Sequence, residues 1–141
     1  MFFGEYYNKI DEKGRLRIPP KLKEQLGSKY LVTKGGNGCL FVFSGETVAK
    51  LEEKLSNIPL SDTQAQKPLR MLFSASFMVE EDNQGRFLIP PKLRAFAGLK
   101  SEAAIIGAGT RIEIWDSEKW TEYNSCEDFD QMLSGLSKFG V

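Results

Sequence analysis

Apolar and polar residues alternate at short range along several stretches of the chain, with breaks where glycine, proline or aspartate gathers. Residues 5–10, Glu-Tyr-Tyr-Asn-Lys-Ile, are predicted to form a strand. Asp11-Glu12-Lys13-Gly14 then has the chemistry of a hairpin turn: aspartate suits its first position and glycine supplies a positive φ at its end. Residues 15–18 return as a strand, with Arg15 and Arg17 on one face and Leu16 and Ile18 on the other. Pro19-Pro20 stops that strand and opens a short helix, which Gly27 closes. Two further strands, at about 30–34 and 39–43, flank the turn Gly35-Gly36-Asn37-Gly38.

The same pattern then recurs. Residues 11–22 read DEKGRLRIPPKL and residues 82–93 read DNQGRFLIPPKL, eight identities in twelve at an offset of 71. At an offset of 72, Leu31–Gly35 falls on Ala103–Gly107 and Cys39–Ser44 on Arg111–Asp116. Tyr6-Tyr7 falls opposite Phe77-Met78. The chain is a duplication. Its second copy predicts strands at 76–81, 86–89, 103–106 and 111–115 and a helix at 91–97. A unit of about 70 residues rarely sustains a core alone, so the copies are expected to share one as a pseudo-dimer.

Each copy is followed by helical spacing. Ser44 is placed to cap a helix with Val48, Leu51 and Leu55 on one face, and Asp116 to cap its counterpart. Pro68 is expected to start or kink a further helix running to about Ser74. Phe129, Met132, Leu133 and Leu136 give the stretch 126–138 an apolar stripe, expected to serve core or subunit contacts. These readings divide the chain into repeat 1 with its trailing helix (1–58), a linker and helix (59–72), and repeat 2 with C-terminal helices (73–141).

Composition narrows the chemistry. The chain has no histidine, which removes His-based triads and His metal ligands. Cys39 and Cys126 are too few for a Cys-only zinc site and read as reduced structural thiols. The glycine-rich turn at 35–38 lacks the Lys-Ser/Thr that a phosphate loop requires. Neighbouring carboxylates such as Glu52-Glu53 and Glu80-Glu81 fall on surfaces. No enzyme, cofactor, metal or small-molecule substrate is expected. Residues 1–5 lack a basic leader region, and no stretch approaches the ~18 apolar residues of a membrane span, so neither a signal peptide nor a membrane partner is expected.

The formal net charge is zero, which by itself speaks against a nucleic-acid binder. Resolved by position it changes meaning. Lys9 to Lys23 holds six basic residues against two acids, net +4, whereas the matching Glu80 to Arg94 holds three of each. Residues 113–141 sum to −5. A basic β-ribbon suits the major groove. The candidate DNA-binding residues are Arg15, Lys13, Arg17 and Lys9, with Arg86 from the second copy. Asp11 and Gly14, and their counterparts Asp82 and Gly85, would shape the turns and orient the arginines. Lys9, Lys13 and Arg17 become Glu80, Gln84 and Leu88, so the first copy is expected to lead.

The start Met1-Phe2-x-Gly4, the segment Asp11-x-Lys13-Gly14-Arg15-x-x-x-Pro19, its repeat Asp82-x-x-Gly85-Arg86-x-x-x-Pro90 and the Glu113-Ile114-Trp115-Asp116 stretch resemble the bacterial MraZ family, which carries two AbrB-like repeats per chain. The resemblance implies an α+β, β-rich fold: a swapped-hairpin AbrB-like β-barrel made by two tandem repeats, with flanking helices. It implies a cytoplasmic, nucleoid-associated transcriptional regulator of a division and cell-wall operon. Such a regulator binds repeated elements in double-stranded promoter DNA as a homo-oligomer, in a ring. The competing reading is a protein-interaction or antitoxin-like module built on the same barrel.

Overall fold

The strands of the two copies interleave rather than forming two adjacent units. The computed structural model describes residues 1–141. Copy one supplies β1 (Glu5–Lys9), β2 (Arg15–Arg17), α1 (Pro20–Leu26), β3 (Tyr30–Lys34), β4 (Leu40–Ser44) and α2 (Gly45–Ser56). A helix α3 (Thr63–Ala75) follows. Copy two supplies β5 (Phe77–Met78), β6 (Arg86–Leu88), α4 (Pro91–Ala97), β7 (Glu102–Gly107), β8 (Ile112–Asp116) and α5 (Ser117–Tyr123). The chain ends in α6 (Phe129–Leu133) and a 3₁₀ segment, Ser134–Phe139.

The result is an α+β fold with six α-helices and two antiparallel sheets. The larger sheet runs β1-β7-β8-β4-β3-β5, and the smaller is β2-β6. Exchanging the copies reads the larger order backwards, the signature of a pseudo-two-fold axis. Its position follows from register. Leu16 faces its own counterpart Phe87 in the small sheet, and Phe41 faces its counterpart Glu113 in the large one. Leu16 and Phe87 are both fully buried, each stabilising by about 1.5–3 kcal/mol on the usual scale for such side chains.

A single cluster of 19 buried residues joins the sheets. It takes Leu16, Ile18, Phe87 and Ile89 from around the small sheet and Val32, Leu40, Val42, Ile105, Ile112 and Ile114 from the large one. Leu22 and Leu26 of α1, and Leu93 and Ala97 of α4, seal its ends. The strand alternation places Leu16 and Ile18 inside and leaves Arg17 exposed, as their spacing predicts.

Several local expectations need correction. The turn at Asp11–Gly14 forms, with Asp11 N–H donating to the Arg15 carbonyl at 3.1 Å, but its strands then separate. β1 pairs with β7 and β2 with β6, so the hairpin's hydrogen bonds are made with the other copy. α3 begins at Thr63 under an Asp62 cap, so Pro68 lies inside it, which excludes only the first of its two expected roles, starting the helix. β5 spans only Phe77 and Met78, not 76–81. Val79 still donates to the Tyr30 carbonyl at 2.9 Å, but Glu81 turns toward Lys23 and Tyr30 instead of continuing the ladder. The apolar stripe near the end does not join this chain's core: Phe129, Met132, Leu133 and Leu136 are 68%, 64%, 37% and 46% exposed.

Candidate nucleic-acid interface

The two Asp-x-x-Gly-Arg turns have the same local construction. Asp11 Oδ1 accepts from the N–H groups of Lys13 (3.0 Å) and Arg15 (2.9 Å), and its Oδ2 accepts from Arg15 Nε at 2.6 Å. Asp82 does the same for Gln84 (2.8 Å), Arg86 (3.0 Å) and Arg86 Nε (2.9 Å). Gly14 and Gly85 sit at φ of 86° and 75°, a region open to glycine and costly for other residues. Each aspartate thus fixes both its turn and the base of its arginine's guanidinium.

The same contacts lower the pKa of both carboxyls. For Asp11 the main cause is the Arg15 N–H; partial desolvation opposes it, and the Arg15 guanidinium adds to the lowering. For Asp82 the Arg86 N–H leads in the same way, with the same opposition from desolvation. Both aspartates are therefore ionised acceptors at neutral pH, the state that holds a guanidinium best.

Interleaving brings the turns together. β2 and β6 place Arg17 directly opposite Arg86 and Arg15 opposite Leu88. Like charges across a strand pair are destabilising in isolation. Arg86 Nη1 comes within 3.8 Å of Asp11, so one carboxylate serves arginines from both copies. Arg17 Nη2 donates to the Gln84 carbonyl of the second turn, and Asn8 Nδ2 donates to the Arg17 carbonyl at 2.7 Å. The outcome is a basin of about 320 Å³ with no hydrophobic lining, formed by Asn8, Lys9, Asp11, Arg15, Arg17, Gln84 and Arg86. Four cations converge there against one carboxylate.

Of the residues singled out from the sequence, Lys9, Arg15, Arg17, Arg86 and Asp11 line this basin. Lys13 is exposed on the first turn, beside the basin but outside its lining. Asp82, Gly14 and Gly85 support the two turns behind it. Asn8 and the Gln84 carbonyl were missed. Asn8 has no sequence signal, and the role of Gln84 depends on a backbone atom that its side-chain identity does not disclose.

The remaining polar groups are structural. Lys23 Nζ and the Tyr30 hydroxyl both donate to Glu81, each at 2.6 Å, joining α1 and β3 to copy two. Glu113 accepts from Arg111 Nε at 2.9 Å and from Trp115 Nε1 at 3.1 Å. Burial pushes the Cys39 thiol up to about 12, which leaves almost no thiolate at neutral pH. No helix is long and apolar enough to cross a membrane.

Comparison with known proteins agrees with this duplicated architecture. A family model described as "MraZ protein, putative antitoxin-like" matches twice, over residues 1–71 and 72–133. A protein of Heliobacterium modesticaldum named "Transcriptional regulator MraZ" is 48% identical over 143 aligned positions, covering all of both chains. Proteins of the same name from Acetivibrio thermocellus and Alkaliphilus metalliredigens are 45% and 42% identical, again over the full length of both chains. Two tandem matches that together span most of the chain, and relatives that align from end to end, place this chain in the MraZ family.

Proposed function

We propose that this chain is a transcriptional regulator that reads promoter DNA through the basin between its two turns. The single observation that carries the reading is the convergence of Lys9, Arg15, Arg17 and Arg86 on an exposed β-ribbon, two of them held by aspartates. Opposed arginines are a cost to the folded protein alone and become favourable against a polyanion. A two-stranded ribbon has the width to enter the major groove, where a guanidinium fork matches the O6/N7 edge of guanine. The relatives' name, "Transcriptional regulator MraZ", supports the same reading.

In this account Arg15 leads. Asp11 engages its Nε, leaving the terminal nitrogens for DNA. Arg86 is shared between Asp82, at 2.9 Å, and Asp11, at 3.8 Å, and assists. Arg17 and Lys9, with Lys13 beside them, supply phosphate contacts. The division into 1–58, 59–72 and 73–141 describes the two halves and their connector, and the two sheets form a swapped-hairpin barrel around the shared core. One basin binds weakly, so several in a homo-oligomeric ring meet repeated promoter elements in phase, where avidity raises affinity by ~10²–10⁴. The protein works in the cytoplasm at the nucleoid, without cofactor.

The test is a gel shift on the DNA upstream of its own gene, with one or several repeats, across a salt series. Binding that rises sharply with repeat number, weakens by about 0.9 in log K per log unit of salt for each phosphate neutralised, and is lost in Arg15→Ala supports the proposal. Equal binding to shuffled DNA, or none at any salt, favours the protein-interaction module.

A further inference from the structure

The two turns are not braced alike, and the difference traces to Arg94 of α4. The ideal Cβ position of Gly14 lies 2.5 Å from Arg94 Cζ, 2.5 Å from its Nη1 and 2.7 Å from its Nε. The three distances place the Arg94 guanidinium in the space that a side chain on Gly14 would fill. The φ of 86° requires glycine at position 14, and a side chain there would also displace the Arg94 guanidinium. At Gly85 the nearest atom to the same construction is Arg17 Nε, at 3.8 Å.

Arg94 has no other employment. None of the seven ion pairs includes it. Its Nε is buried without a hydrogen-bond partner. Its counterpart in copy one, Lys23, is paired with Glu81; the counterpart of Glu81 is Ile10, so Arg94 has no carboxylate to meet. A second tie acts at the same point: Ile89 N–H donates to the Gly14 carbonyl at 3.0 Å. Gly14 is buried as a result, while Gly85 is only half-buried.

We propose that Arg94 is a positioning residue for the first turn: the second copy clamps the turn that carries Arg15 by laying the Arg94 guanidinium over Gly14. The inference rests on the DNA-reading role of Arg15, but its first test does not. Arg94→Met keeps the apolar stem and removes the plane; Arg94→Lys restores the charge and the residue type of copy one. Amide hydrogen exchange at Gly14 and Arg15 should quicken at least about fivefold in Arg94→Met, with Gly85 and Arg86 unchanged. In Arg94→Lys it should recover little, because a point charge cannot cover the turn. Affinity for a multi-repeat duplex should fall about tenfold, within the range of a weakened bidentate base contact, with an unchanged salt slope because no phosphate contact is lost.

Unchanged exchange at Gly14 overturns the clamp. Faster exchange with full DNA affinity overturns the positioning role. A salt slope smaller by about 0.9 assigns Arg94 a phosphate contact of its own and also overturns it. If the wild-type chain binds no DNA, the proposed function fails, and the exchange measurement alone still decides whether the clamp exists. Thermal unfolding of both variants separates these outcomes from misfolding, and Arg94→Lys carries the exchange test if Arg94→Met does not fold.

Discussion

In the first turn Asp11 is approached by two guanidinium groups, Arg15 at 2.6 Å and Arg86 at 3.8 Å; in the second, Asp82 meets only Arg86, at 2.9 Å. The turns share their backbone hydrogen bonds, their aspartate–arginine link and their left-handed glycine. They differ in everything supplied by the opposite copy. Duplication explains how that is possible. In a symmetric dimer any residue on the axis faces itself, and Glu113 would oppose a second glutamate. Fused copies diverge, so Glu113 faces Phe41 instead, and Arg15 faces Leu88. The pseudo-dyad keeps the core; the departures from it give the two turns different neighbours.

Removing each arginine in turn has the largest expected effect on DNA binding. Arg15→Ala should weaken binding to a multi-repeat duplex by about 10–100-fold, the worth of a lost bidentate contact, and each further repeat engaged multiplies the loss. Arg86→Ala should cost less, because its guanidinium already serves two carboxylates. Titration of a labelled duplex measures both. A larger loss for Arg86→Ala would reverse the assignment of leader and assistant.

The copies also differ beneath the turns. Glu81 holds Lys23 and the fully buried Tyr30, while Ile10 occupies the equivalent place in copy one. Glu81→Ala leaves the Tyr30 hydroxyl unpaired in the interior, a cost of about 1–3 kcal/mol in chemical unfolding. Ile10→Val, which removes one methyl group from the opposite site, should cost about 0.5–1.5 kcal/mol. A Glu81→Ala variant as stable as the wild type would show that the asymmetric ion pair does not join the halves.

These differences also mark the limit of sequence reading. The repeat was plain from DEKGRLRIPPKL and DNQGRFLIPPKL, and period-two alternation put Leu16 and Ile18 inside. Helix caps at Ser44 and Asp116 followed from residue type. The partners of the strands did not. A turn signal says that the chain reverses, not which strand receives its hydrogen bonds, and here β2 bonds to β6. For the same reason the basic residues were legible as a list but their meeting with Arg86 was not. Arg94 was invisible because its role needs the distance from a helix of one copy to a glycine of the other.

A smaller effect separates the glycines. Gly14→Ala and Gly85→Ala each force an alanine into a left-handed conformation, at about 1–2 kcal/mol. Gly14→Ala additionally displaces the Arg94 guanidinium, a flexible side chain that can move, so its excess in thermal unfolding should be modest. The larger difference should appear in hydrogen exchange, where only Gly14→Ala frees Arg94. Equal exchange in the two variants would return the turns to equivalence.

The smallest expected effect concerns acid. The folded state lowers the pKa of Asp11 and Asp82 from 3.8, led in each case by the backbone N–H of the arginine four residues on. Folding therefore favours the ionised form. Each contribution to stability is complete above the unfolded value, near 3.9, and disappears as pH falls through the lower folded value. Both side chains are about one-third exposed, 33% for Asp11 and 34% for Asp82, so water screens the ion pairs and the acid limb should be shallow. Carbon-detected NMR titration should place both carboxyls below 3.8, and Asp11→Asn and Asp82→Asn should flatten the acid limb to the same extent. An aspartate titrating at or above 3.8 would mean that its turn is not held as described. Matched titrations would show that Arg86 adds little at Asp11 and would locate the inequality of the turns in the Arg94 and Ile89 contacts at Gly14.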